Sequence, residues 1–176
     1  MGAAAPGEPA GAQEQPAGQL RMLADRAVLS DLISRYFLAL DEGTFDDTRA
    51  RAVFTPDAAL SFPPGDHRGL DGLVGFTADF MAHWVRTHHH CSNLAIDVNG
   101  GRAALRWDVI ATHVHHGSPP PPAQGHHFQL GGRFDAAAVR TGSGWRIEKL
   151  ALRVLWTTGT GIPSIAATMA GSRRHQ

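Results

Sequence analysis

From Leu20 onward apolar residues recur with helical spacing: Leu29, Leu32, Ile33, Tyr36, Phe37 and Leu40 fall on one stripe. Gly43 follows as a stop, so the pattern predicts a first helix over about 20–42. Asp46 or Asp47 can cap a short second helix to Val53, because a carboxylate accepts from the unpaired amides of a first turn. Thr55-Pro56 ends that helix, since the residue before proline is driven out of the α region. A short strand is expected at 58–62, broken by Pro63-Pro64-Gly65. Apolar positions at Leu70, Leu73, Phe76, Phe80 and Trp84 then predict a third helix reaching Trp84.

The second half alternates instead. A strand over 88–98 meets Asn99-Gly100, a hairpin signal because the central residues of a type I′ turn need positive φ. The next strand, about 102–115, runs into a loop with four consecutive prolines, Pro119–Pro122, which no sheet interior accepts. Strands over 126–140 and 145–157 follow, joined by Thr141-Gly142-Ser143-Gly144. In the last strand Trp145 and Ile147 share one parity, while Leu150, Leu152, Val154 and Trp156 share the other; a β-bulge near Glu148-Lys149 reconciles them. Helices first and a meander of strands afterwards give an α+β fold, in which a curved sheet and the first helix enclose a pocket.

Composition sets limits on function. The 176 residues suit one domain. Residues 1–19, rich in Ala, Gly, Pro and Gln, read as a disordered tail; residues 20–160 form the domain, and 161–176 a weakly patterned C-terminal tail with room for a short helix. Sixteen basic and sixteen acidic residues cancel, which argues against nucleic-acid partners. Without an apolar run long enough to span a bilayer or act as a signal peptide, the protein is expected to be soluble and cytoplasmic, with no membrane partner. One cysteine, Cys91, permits no internal disulfide. A lone strand cysteine is more often a small buried hydrophobe than a nucleophile.

Eleven histidines carry the candidate chemistry. In Thr87-His88-His89-His90-Cys91-Ser92-Asn93, strand alternation sends His89, Cys91 and Asn93 to one face and His88, His90 and Ser92 to the other. Hairpin pairing returns His113 and His115, which share a face with Trp107 and Val109, toward that segment. One of His126 and His127 must also face inward. Imidazoles from adjacent strands in one cavity suit proton transfer. Tyr36 lies in the helical stripe, and Asp41 ends it. Burial and the negative end of the helix dipole would raise the pKa of Asp41. Three imidazoles, His89, His113 and His127, leave open a zinc or copper site.

Several segments together resemble the SnoaL-like proteins of the nuclear transport factor 2-like superfamily. They are Leu23-Ala24-Asp25-Arg26, Arg35-Tyr36-Phe37-Leu38-Ala39-Leu40-Asp41, Phe54-Thr55-Pro56-Asp57-Ala58, His89-His90-Cys91-Ser92-Asn93, Gly131-Gly132-Arg133-Phe134, Val139-Arg140-Thr141 and Gly144-Trp145-Arg146-Ile147. The resemblance spans about residues 20–160. It implies a cone of curved antiparallel sheet with three helices and a deep pocket, often as a homodimer. It also implies chemistry that mostly needs no cofactor, ranging from polyketide cyclases and scytalone- or bile-acid-type dehydratases to noncatalytic subunits and binders. In the bile-acid-type dehydratases a tyrosine, an aspartate five positions later and a histidine on the strand after the third helix serve acid/base roles; Tyr36, Asp41 and His89 match that order. His113 resembles the second histidine of the scytalone-type enzymes.

The expectation is therefore a cofactor-independent enzyme of secondary metabolism that cyclises or dehydrates a hydrophobic polyketide- or terpenoid-like substrate. His89, Asp41, Tyr36 and His113 are its candidate catalytic set. Phe37, Asn93, Trp107, His127, Phe128 and Trp156 are candidates for substrate contact. A noncatalytic binder or subunit-pairing protein, and a histidine-ligated metalloenzyme, are the competing readings.

Overall fold

A computed structural model describes residues 11–63, 65–117 and 126–161. The element order is α1 (Gly11–Asp41), α2 (Asp47–Val53), β1 (Phe54–Phe62), β2 (Gly65–Arg68), α3 (Leu73–Met81), β3 (Trp84–Asn99), β4 (Arg102–His115), β5 (His127–Thr141) and β6 (Gly144–Gly159). Three helices pack against a curved, unclosed six-stranded sheet of order β2-β1-β6-β5-β4-β3. Neighbours in β6-β5-β4-β3 are antiparallel and so is the β1–β2 hairpin, but β1 lies parallel to β6. The sheet is thus mixed rather than wholly antiparallel; α3 separates β1 and β2 from the later meander, and β1 docks beside β6 in the same direction.

Local chemistry explains most boundaries. Asp46 caps α2 by accepting from the Arg49 amide at 2.8 Å. The chain turns straight from Val53 into β1, four residues before the expected strand. Pro56 fits there because the β1–β6 ladder is interrupted between Phe54 and Ala59, so its missing N–H breaks no bond. Helix α3 stops at Met81, and Trp84 opens β3 opposite His115 rather than ending the helix, in a stretch where Val85 and Thr87 favour extended backbone. The hairpin turn is centred on Gly100 and Gly101, one residue later than expected: Asn99 pairs with Arg102, and Gly100 takes φ 58°.

At the N-terminal end, α1 begins at Gly11, so residues 11–19 are helical and not the unordered tail expected of them. Ala, Gln and Glu at 12–15 are good helix formers, and extending an existing helix avoids the cost of a new nucleus. Residues 1–10, the four prolines at 119–122 and the tail from 162 lie outside the described residues. No described helix is long and apolar enough to cross a membrane.

Strand β4 shows how the sheet is built. Ala103, Leu105, Trp107, Val109, Ala111 and His113 are buried on one face, while Arg102, Ala104, Arg106 and Ile110 are exposed on the other. The buried face meets Leu29, Leu32, Ile33, Tyr36, Phe37 and Leu40 of α1, the stripe read from the sequence. Asp25 fixes α1 to the β5–β6 hairpin, accepting from the Arg140 guanidinium and, at 3.1 Å, from the Trp145 indole. The Arg140 guanidinium also lies 4.5 Å over the Trp145 ring.

The bulge expected near Glu148 is present: Ala137 pairs with Lys149 but Ala138 with Ile147. A second bulge lies at Leu155, since Gly132 pairs with Val154 and Gly131 with Trp156. A third interrupts β3 between Ser92 and Ala95, where Asn93 takes φ 54°.

Candidate active site

Between the buried sheet face, the end of α1 and α3 lies a cavity of about 280 Å³. Tyr36, Phe37 and Leu40 line it from α1, Phe76, Phe80 and Met81 from α3, and His89, Val109, Ala111, His113, Leu130 and Phe134 from the strands. The wall is thus largely aromatic and aliphatic, with Tyr36, His89 and His113 as polar positions in its interior.

His89 and Asp41 meet across the α1–β3 contact. His89 Nδ1 lies 2.6 Å from Asp41 Oδ1, the His89 backbone N–H donates to Oδ2 at 2.9 Å, and the Thr87 hydroxyl donates to Oδ1 at 2.9 Å. A carboxylate only accepts, so Nδ1 carries the proton in this contact and Nε2 is left with a lone pair. Burial pulls the Asp41 pKa upward, yet the His89 side chain, the His89 amide and Thr87 together outweigh it and hold the carboxyl at about 2. Asp41 is therefore ionised, the reverse of the raised pKa that burial and helix dipole alone suggest. Arg35, on the same helix, pairs with Asp31 and not with Asp41.

His113 is 1% exposed, with its ring 5.8 Å from that of His89. Trp84 lies at 4.9 Å, Phe80 edge-on at 5.8 Å and Phe128 at 5.8 Å, so aromatic rings enclose it. Burial pushes His113 down to about 4, so its ring is neutral near pH 7. Among the described residues its Nδ1 has no hydrogen-bond partner. Burial also raises the Tyr36 pKa and keeps its hydroxyl protonated. Cys91 is pushed up to about 11, by burial first and then by the Asp41 charge, so it stays a thiol and is no nucleophile near pH 7.

Tyr36, His89 and His113 thus line one cavity, with Asp41 held against His89. Of the six residues expected to contact substrate, Phe37 lines the cavity. Trp107 stacks on Phe134 at 5.0 Å and Phe128 on Trp84 at 5.8 Å, both behind the wall. His127 has the opposite strand parity to Phe128 and faces away. Asn93, swung outward by the β3 bulge, donates to Asp108 on the exposed sheet face at 2.8 Å. Trp156 is 43% exposed on that same face, over Gly131. With His127 turned away, the three-histidine metal site does not assemble, and among the described residues no group of three His, Cys, Asp or Glu is gathered to hold an ion.

Thr87 and the α3 side chains were not singled out from the sequence. Thr87 shares parity with His89, two residues on, and that was the available signal.

Comparison with known proteins agrees with this architecture. Solved structures of similar fold include a nuclear transport factor 2-like superfamily protein from Salmonella enterica (TM-score 0.65, 22% identity, covering 80% of this chain and 97% of that one). Another is hexachlorocyclohexane dehydrochlorinase LinA-type3 from Novosphingobium barchaimii (TM-score 0.67, 19% identity, 82% and 99% covered). A protein from Novosphingobium aromaticivorans provisionally assigned as a scytalone dehydratase has TM-score 0.68 at 23% identity, with 80% and 90% covered. The likeness to these structures is one of fold. The chain belongs to the SnoaL-like family, whose domain model matches residues 21–151. An uncharacterised protein of Mycobacterium tuberculosis H37Rv is 30% identical over 135 residues, covering 71% of this chain and 82% of the relative.

Proposed function

We propose that the protein is an acid/base enzyme, needing no cofactor, that eliminates a small leaving group from a hydrophobic small molecule or cyclises it by the same proton abstraction. The observation that carries this reading is the His89–Asp41 contact at the wall of an otherwise apolar cavity. His89 Nε2 takes a proton from substrate carbon, the imidazolium so formed is stabilised by the ionised Asp41 on Nδ1, and it then hands that proton to the departing hydroxyl, which leaves as water, or in a cyclisation to the new alkoxide, so that His89 ends neutral. Tyr36, held protonated by burial, donates a hydrogen bond to the substrate oxygen where charge develops. His113, kept neutral, serves as a second hydrogen-bonding partner for the ligand and not as a charged acid. The fold neighbours include a dehydrochlorinase, an elimination enzyme, which favours elimination among proton-transfer reactions.

The test is α-proton exchange in D2O followed by NMR across a panel of cyclic β-hydroxy ketones, with enone formation read by absorbance. Wild-type protein should accelerate exchange of at least one member, and His89→Gln should abolish it. Full exchange by a folded His89→Gln protein would sink the proposal.

A further inference from the structure

Ionisable groups are unevenly placed around this cavity. Among the described residues no arginine or lysine contributes to its wall. The ionised Asp41 stands directly behind His89, and a second carboxylate, Asp79 on the exposed side of α3, joins the lining beside the exposed His83. We infer that the cavity selects compact, uncharged ligands and excludes carboxylates, phosphates and sulfonates, with Asp79 a specificity-determining residue at its exposed edge. This inference rests on the ligand-binding reading of the same cavity given above, but not on proton transfer.

An anion leaving water for an apolar enclosure needs a paired cation or a full set of donors. Apart from Asp79 and the exposed His83, the polar groups of the described lining are a phenol, two imidazoles and the Thr77 hydroxyl, all uncharged donors at pH 8, and His89 already spends Nδ1–H on Asp41. The Asp41 charge then repels a second anion through low-dielectric surroundings, where such repulsion is strongest. A neutral carbonyl or hydroxyl needs only one or two hydrogen bonds, which Tyr36 and His113 can complete, and it leaves no charge uncompensated. A volume of about 280 Å³ suits one or two fused rings.

Two bicyclic probes of nearly the same shape, 2-naphthamide and 2-naphthoate, separate charge from size. Calorimetric titration of the full-length protein at pH 8, where imidazoles ordinarily carry no proton, should find the amide bound at least about thirtyfold more tightly. Asp79→Arg should narrow that ratio by about threefold or more, most clearly at low salt. Equal affinities, tighter binding of the naphthoate, or no binding of the amide would each overturn the inference, and an unchanged ratio in Asp79→Arg would remove Asp79 from it. His89→Gln should keep the preference for the amide. Loss of exchange activity in that variant, or its persistence, therefore bears on the proton-transfer reading alone.

Discussion

Asp41 holds His89 by both its backbone and its ring, with Oδ2 on the amide at 2.9 Å and Oδ1 on Nδ1 at 2.6 Å. The aspartate ends α1, where the helix dipole disfavours negative charge by roughly 0.3–1 kcal/mol. Three donors from a single stretch of β3 outweigh that penalty, so the imidazole is fixed in tautomer and orientation before any ligand arrives.

Asp41→Asn should leave the fold intact and reduce turnover by about 10²–10⁴-fold, because the amide no longer fixes the Nδ1–H tautomer or stabilises the imidazolium. Thr87→Val removes one of the three donors. It should raise the Asp41 pKa and cost about tenfold in kcat with KM little changed. A kcat–pH profile whose acid limb moves upward in Thr87→Val checks the assignment.

His113 makes stability depend on pH. Its folded pKa, about 4, lies below the ordinary 6.5, so between those values the unfolded chain binds the proton and the folded one does not. The neutral-ring contribution is complete above about pH 6.5 and is lost as pH falls toward 4, by up to about 3 kcal/mol. Urea melts from pH 7.5 to 4 should show this loss, and His113→Gln should flatten it.

Asp25→Ala should destabilise the protein by about 2–3 kcal/mol, since it strips the acceptor from both Arg140 and the buried Trp145 indole. A double-mutant cycle with Arg140→Ala should show coupling of about 1 kcal/mol or more. Additivity within about 0.3 kcal/mol would mean that the ion pair is not what fastens α1 to the hairpin.

Gly131 and Gly159 should respond differently to alanine. At Gly131 the new methyl meets the half-exposed Trp156 indole at 2.1 Å, which can swing into solvent at a cost of about 1 kcal/mol, with a red-shifted tryptophan emission. At Gly159, φ is 78° and the methyl meets the His127 carbonyl oxygen at 2.1 Å. Backbone cannot step aside as a side chain can, so a loss of about 3 kcal/mol or more is expected by thermal melting.

Periodicity made most of this fold legible. The α1 stripe, the limits of β4 and the bulge at Glu148 follow from apolar spacing and turn residues, and the resemblance to the SnoaL-like proteins supplied the cone and the Tyr36, Asp41 and His89 set. The misplacements have a common cause. Unbroken alternation through β3 and β6 would aim Asn93 and Trp156 into the cavity, but Asn93 itself lies in a bulge of β3 and a bulge at Leu155 reverses the parity just before Trp156. Trp107 and Phe128 have the correct parity but stand one layer too deep, because burial depth depends on which rings cover a position and not on its own strand. Helix α3 was visible as an apolar segment, while its role as a cavity wall depends on long-range packing that no local pattern encodes.

The two bulges give β6 three reading frames along one strand. Residues 145–147, 150–154 and 156 onward each obey alternation, but the phase is reset between them. Deleting Leu155 would restore the middle frame through the end of the strand and turn the Trp156 indole from the outer surface toward the sheet's inner face. A single-residue deletion, with no substitution at all, would then exchange an exposed ring for an inward one. In such a strand insertions and deletions are a direct route to a new cavity shape, and chain length is as much a determinant of the ligand as side-chain identity.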